Sequence, residues 1–168
     1  EEAAESLTGL LDNVLDLSRL DEGRMQLEKI PVDVRALGRS VAAVFQGELE
    51  KRGIALVVEV PAHDSWLMLD PTRLRQVLMN LLGNARKFTE RGSIRLALQV
   101  QDAPAGTWLH AAVTDTGCGI PAALQGHLFD PYTQADGSIS RQYGGTGLGL
   151  SISHDLVKLM GGRIDLHS

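Results

Sequence analysis

The stretch Leu74–Thr89, LRQVLMNLLGNARKFT, carries two superimposed patterns. Leu74, Val77, Leu78, Leu81, Leu82 and Ala85 recur at i, i+3, i+4, i+7, i+8 and i+11, which predicts a helix with an apolar face about 100° wide. Asp70-Pro71-Thr72 provides its start, with proline at the first turn. Away from the apolar face, Arg73, Gln76, Asn80, Asn84 and Lys87 share one narrow stripe of carboxamides and cations without an acid. An ordinary amphipathic helix accounts for the stripe, and so does a metal–phosphate ligand, which amide oxygens, amide NH₂ groups and cations suit. Arg73, Arg75, Arg86, Lys87, Arg91 and Arg95 cluster around this helix, a local excess that fits a small anion.

The chain has 168 residues, 43% of them hydrophobic, enough for one domain core and a short extra element. A single cysteine, Cys118, excludes an internal disulfide and fits a reducing compartment. No run of about 18 apolar residues predicts a membrane span. No signal-peptide pattern occurs, and a chain that opens on Glu1 reads as a fragment. The net charge of −5 is uneven: residues 1–30 hold 8 acids and 3 bases, residues 31–168 hold 13 of each. A neutral main domain argues against nucleic-acid binding.

Residues 2–20 read as a helix whose Leu7, Leu10, Val14 and Leu17, with Leu11 and Leu20 beside them, seek a partner helix. Asp21-Glu22-Gly23 stops it and Pro31 opens a new unit, dividing the chain into residues 1–30 and 31–168. A strand near Val32–Val34 precedes a helix over Arg35–Arg52 ended by Gly53. Strands follow at Ile54–Val60 and Trp66–Leu69. Beyond the Leu74 helix, Ser93–Gln101 and Thr107–Thr114 form a hairpin across the Ala103–Gly106 turn. A short helix is expected after Pro121 and a longer one over Leu148–Met160, with Arg163–His167 starting a strand. This order predicts α+β or open α/β layers with helices on one side.

Asp115–Gly149 is too long for a connection, and loops of that length are usually functional. A glycine cluster stands at each end. In Asp115-Thr116-Gly117-Cys118-Gly119-Ile120, directly after a strand, a carboxylate can accept from an exocyclic amine while glycines let a flat ring approach the backbone. Taken alone the pattern is a weak signal and reads more often as a turn. Gly144-Gly145-Thr146-Gly147-Leu148-Gly149 runs into a helix, whose free N–H groups and dipole favour phosphate; alone, it reads equally as a hinge. Neither cluster fits the P-loop or the dinucleotide fingerprint.

In order, NLLGNARKFT, DTGCGIP, LFDPYTQAD and GGTGLGLSI resemble the asparagine, first-glycine, phenylalanine and second-glycine boxes of the sensor histidine kinase catalytic domain. The resemblance runs from about Pro31 to Ser168, and its wording is similar to that of hybrid kinases. LLDNVLDLSRLDEGRMQLE resembles the end of the second helix of that family's dimerisation hairpin. The resemblance implies an α/β fold of the Bergerat type, a two-layer sandwich of a mixed sheet against three helices, with an N-terminal helix added. It implies ATP and Mg²⁺ as ligands, with Asn84 on the metal, Asn80 in support, and Lys87 and Arg86 on phosphate. Phe88 would pack near adenine, Asp115 would accept from its amino group, and Gly117, Gly119 and Ile120 would shape that pocket. Phe129 would plug the loop, and Asp130–Tyr143 would form a lid bearing Tyr132 and Arg141. Gly145, Thr146, Gly147, Leu148 and Gly149 would close it.

In related hydrolases of the same fold a glutamate one turn before the metal-binding asparagine activates water. Asn80 occupies that position here and cannot serve as a base, which favours transfer to a histidine over hydrolysis. An ATP-hydrolysing relative and a degenerate regulatory docking domain are the alternatives. None of His63, His110, His127, His154 and His167 stands in the family's H-E-x-[RK]-x-P acceptor setting, so the acceptor is expected upstream of Glu1. His154 reads as an exposed surface residue and Cys118 as a buried, inert thiol. The family domain continues past Ser168 to a last strand, so an exposed sheet edge is expected. The resemblance further implies a homodimer through the upstream hairpin and a response regulator or receiver domain as partner. No nucleic acid and no direct membrane contact are expected, and the setting is cytoplasmic beneath a membrane-anchored parent.

Overall fold

The computed structural model describes residues 14–20, 22–104, 106–130 and 147–168. The chain divides into two compact units, Glu28–Gly119 and the remainder, Glu1–Leu27 with Ile120–Ser168.

The first of these units holds five strands and two helices in the order β1 (Ile30–Asp33), α2 (Val34–Lys51), β2 (Ile54–Glu59), β3 (Trp66–Leu69), α3 (Pro71–Phe88), β4 (Gly92–Ala103) and β5 (Gly106–Asp115). The label α1 is kept for residues 14–20, which are helical. Strands β2, β4 and β5 form a mixed sheet in that order, β2 parallel to β4 and β4 antiparallel to β5. The parallel pair needs a crossover, which β3 and α3 supply. β1 and β3 form a separate antiparallel pair, Val32 opposite Leu67.

Period-two alternation turns Ile94, Leu96 and Leu98 of β4 inward, all nearly fully buried. Against them pack Leu37, Val41, Phe45 and Leu49 of α2 and Leu74, Leu78, Leu82 and Ala85 of α3 in one apolar core. Gly38 sets how closely α2 approaches the sheet: a Cβ there would run into the Leu98 side chain and come within 3.1 Å of Val60 Cγ1.

Both helices start on a capping aspartate. Asp33 accepts from Arg35 N at 3.0 Å and from Ser65 N at 3.2 Å. Asp70, 4% exposed, accepts from Thr72 N and Arg73 N at 3.0 Å on one oxygen and from Glu28 N at 2.9 Å on the other.

The other unit holds α1, the short α4 (Ala122–Gln125) and α5 (Gly149–Leu159). Of Leu148, Ile152, Leu156 and Leu159, which helical spacing puts on one face, the first three are buried and Leu159, at the end of α5, is exposed. Leu7, Leu10 and Leu11 lie outside the described residues, while Val14 and Leu15 of α1 are about half exposed and Asp16 is buried.

The α/β class, the mixed sheet and the hairpin agree with the expectation. The strand expected at Arg163–His167 does not form: residues 162–168 are irregular. A strand needs a ladder partner; the bonds this segment makes are through side chains, Arg163 Nε to Asp165 Oδ2 at 3.0 Å and, from a distant part of the chain, Ile120 N to Ser168 Oγ at 2.7 Å. Among the described residues no helix is long and apolar enough to cross a membrane.

Candidate functional site

The polar stripe of α3 follows from the same periodicity that makes the core. With Leu74, Val77, Leu78, Leu82 and Ala85 inward, Arg73, Gln76, Asn80, Asn84 and Lys87 fall together on another side, and all five are half-buried. Their neighbours Thr72 and Arg75, off the stripe, are exposed. Arg73 Nη1 donates to Gln76 Oε1 at 2.8 Å within the stripe. Asn80 and Asn84 stand one turn apart, about 6 Å along the axis. Partial burial lowers the Lys87 ammonium below its ordinary pKa, because desolvation penalises the charged form. Its Nζ sits 5.0 Å from the centroid of the Phe88 ring.

A loop built by its own sequence lies beside the end of α3. After β5, Asp115 Oδ1 accepts from Gly117 N at 2.8 Å, a local turn that fixes the carboxylate. Thr116 ties this turn to β4: its N–H donates to Ser93 O at 3.1 Å and its Oγ1 accepts from Ser93 N at 3.0 Å. Gly117 is there because nothing larger fits. A Cβ on it would overlap the Phe88 carbonyl oxygen and lie 2.7 Å from Asp115 Oδ1 and 3.0 Å from the Phe88 carbonyl carbon. Gly119, with φ +70°, uses the conformation that favours glycine. The carboxylate of Asp115, the backbone of Gly117 and the Phe88 end of α3 therefore form one surface.

Three sequence expectations change. The Arg86 guanidinium points to α2, pairing with Glu48 Oε2 at 2.6 Å and lying 5.9 Å from the Phe45 ring centroid. It stands two residues from Asn84, roughly 200° around the helix. Cys118 is exposed rather than buried, on a turn between Gly117 and Gly119. His154 is not a surface residue: it is half-buried and stacks on Phe129 with ring centroids 5.2 Å apart, its Nδ1 3.3 Å from Asp155 Oδ1. His127, by contrast, is exposed and pairs with Asp130 at 3.0 Å.

In the second unit Gly147 (φ +69°), Leu148 and Gly149 lead into α5, and Ile120 is half-buried. Tyr132, Arg141, Gly145 and Thr146, and most of the expected lid, lie outside the described residues. Two residues that sequence reasoning missed shape the first unit's surface, Thr116 and Arg52. Thr116 was legible as the hydroxyl between Asp115 and Gly117. Arg52 gave no local signal; it donates to Arg86 O at 2.9 Å and to Thr89 O at 2.8 Å, across 34 and 37 residues of sequence.

Residues 69–168 match the family described as histidine kinase-, DNA gyrase B-, and HSP90-like ATPase. The signal transduction histidine-protein kinase BarA of Escherichia coli (strain K12) is 38% identical over all of this chain, which spans 18% of that protein's length. Full-length ShkA in complex with AMPPNP superposes with a TM-score of 0.78 at 32% identity, over 95% of this chain and 32% of that one. The histidine kinase ThkA in complex with the response regulator protein TrrA superposes with a TM-score of 0.68 at 26% identity, over 95% and 43%.

Proposed function

The chain belongs to the histidine kinase-, DNA gyrase B-, and HSP90-like ATPase family, and from that membership we propose that it is the ATP-binding catalytic portion of a two-component sensor histidine kinase. The observation that carries this reading is the half-buried, acid-free stripe Arg73, Gln76, Asn80, Asn84 and Lys87. Side chains that only met water would not need that burial, and a stripe with no carboxylate of its own is matched to an anionic ligand.

In this reading Asp115, oriented by the Gly117 amide, accepts from the adenine amino group, with Phe88, Gly117 and Gly119 around the base. Lys87 meets phosphate and Asn84 the metal that accompanies it, with Asn80 in support. Arg86, held by Glu48, serves the joint between α2 and α3. The nucleotide roles of Ile120, Phe129, Tyr132, Arg141 and residues 145–149 carry over from the family resemblance alone.

Among the described residues no group of three or more His, Cys, Asp or Glu could hold a metal on its own. What α3 offers is amide oxygen, a hard neutral donor suited to a magnesium ion that shares its other positions between phosphate and water. Asn84 thus fits Mg²⁺, which when bound would neutralise charge on the phosphates. Asn80 offers no base to activate water, so the site favours delivery to a strong nucleophile, a histidine on a helix preceding this chain. Residues 1–30 are then the end of the dimerisation hairpin and residues 31–168 the catalytic domain. The whole protein works as a homodimer beneath a membrane anchor, on the cytoplasmic side, and passes phosphate to a response regulator or receiver domain.

Titration calorimetry with Mg-ATP tests the binding step. Saturable binding that is lost in Asn84→Ala and weakened by chelating the metal supports the proposal. Absence of binding by the unsubstituted chain refutes it and revives the docking-domain reading.

A further inference from the structure

The last turn of α3 presents Asn84, Lys87 and Phe88, and it is also where a helix runs out of partners for its carbonyls. Here α2 supplies them. The Arg52 guanidinium bridges Arg86 O at 2.9 Å and Thr89 O at 2.8 Å with two different nitrogens. Glu48, four residues earlier, takes Arg86 Nη1 at 2.6 Å, and Phe45 lies 5.9 Å from that same guanidinium. Phe45, Glu48 and Arg52 stand at i, i+3 and i+7, so one stripe of α2 and its cap grips one turn of α3 from carbonyl and side chain together. A planar cation on two carbonyls at the negative end of a helix is favoured by geometry and by the dipole.

The geometry points to Arg52 as a positioning residue. By fixing the height and rotation of the last turn of α3, it sets where Asn84 and Lys87 stand toward phosphate and metal. The inference rests on the reading of α3 as the phosphate end of an ATP site. The Asp115 carboxylate at the adenine end has a tie of its own, through Thr116 to Ser93 on β4. Phe88 shares the α3 end that Arg52 holds, but with that second anchor on the carboxylate a change at Arg52 falls first on phosphate and metal.

The experiment uses the whole chain with Arg52→Gln and Arg52→Lys, both at an exposed position. Calorimetry compares Mg-ATP with adenosine in metal-free buffer, and NMR follows the Asn84 side-chain amide. Loss of the charge-assisted pair is expected to lower Mg-ATP affinity roughly tenfold and to leave adenosine affinity within about twofold. Arg52→Lys should lose affinity as well, since an ammonium cannot span both carbonyls as the fork does. In both variants the Asn84 amide resonances should move. Unchanged Mg-ATP affinity, or a parallel loss of both affinities, overturns the assignment. If the unsubstituted chain binds neither ligand, the ATP reading fails, and the Asn84 resonances decide alone: shifted, they support Arg52 as positioning; unshifted, they overturn it.

Discussion

Replacing Gly117 with alanine puts a methyl group where the fold leaves no room for one. The new Cβ would lie 2.7 Å from Asp115 Oδ1 and 3.0 Å from the Phe88 carbonyl carbon, and nearer still to the Phe88 oxygen. Against ordinary contact, the Oδ1 approach alone is about 0.7 Å too short. Neither neighbour yields easily. The end of α3 is held through Arg52 on Arg86 O and Thr89 O, and Thr116 is tied to Ser93 of β4. The softest response is rotation of Asp115, which breaks its bond to Gly117 N at 2.8 Å and turns the carboxylate away. Overpacking of this kind costs about 1–3 kcal/mol of stability. Losing an oriented charge-assisted bond to the base costs roughly 1.5–3 kcal/mol, or about 10- to 150-fold in affinity. Calorimetry with Mg-ATP measures the second effect and thermal unfolding the first. A Gly117→Ala chain that binds Mg-ATP within about twofold of the parent, at an unchanged melting temperature, would refute the assignment of Asp115 and Gly117 to adenine.

Asp70→Ala removes the N-cap of α3 and the acceptor of the Glu28 amide, and is expected to cost about 2 kcal/mol in urea unfolding, with Asp70→Asn losing less. Lys87 is depressed by burial in the free protein, so the unfolded chain binds more protons between the lowered pKa and 10.5, and folding stability from this group rises with pH across that window. A phosphate beside Lys87 raises its pKa again, so ATP binding on the alkaline side should take up protons; calorimetry in buffers of different ionisation enthalpy reads this, and Lys87→Met should abolish it.

Where the hydrophobic period is strong the sequence was easy to read. The apolar faces of α2 and α3, the Asp70 start and the β4–β5 hairpin are set by neighbours along the chain. Residues whose fate depends on distant partners were not legible. Arg86 and Lys87 are adjacent cations, and only the arrival of Glu48 and Phe45 from α2 separates their roles. His154 was indistinguishable from a surface histidine until Phe129 was placed against it. Arg163–His167 has strand composition but no ladder partner, and Cys118 has the apolar character of a core residue on a turn that leaves it outside. Family membership was legible for a different reason: the order of four motifs carries it, and order survives without coordinates.

The central claim is that an α3 stripe without an acid hands phosphate on and does not hydrolyse it. The direct measurement supplies this chain with γ-labelled Mg-ATP and a helical hairpin bearing a histidine in the H-E-x-[RK]-x-P setting. It follows label on the hairpin and free phosphate together. Acid-labile label is expected on that histidine, lost in Asn84→Ala, with little phosphate released. Steady phosphate release that depends on Asn84, with no label on the histidine, would contradict it.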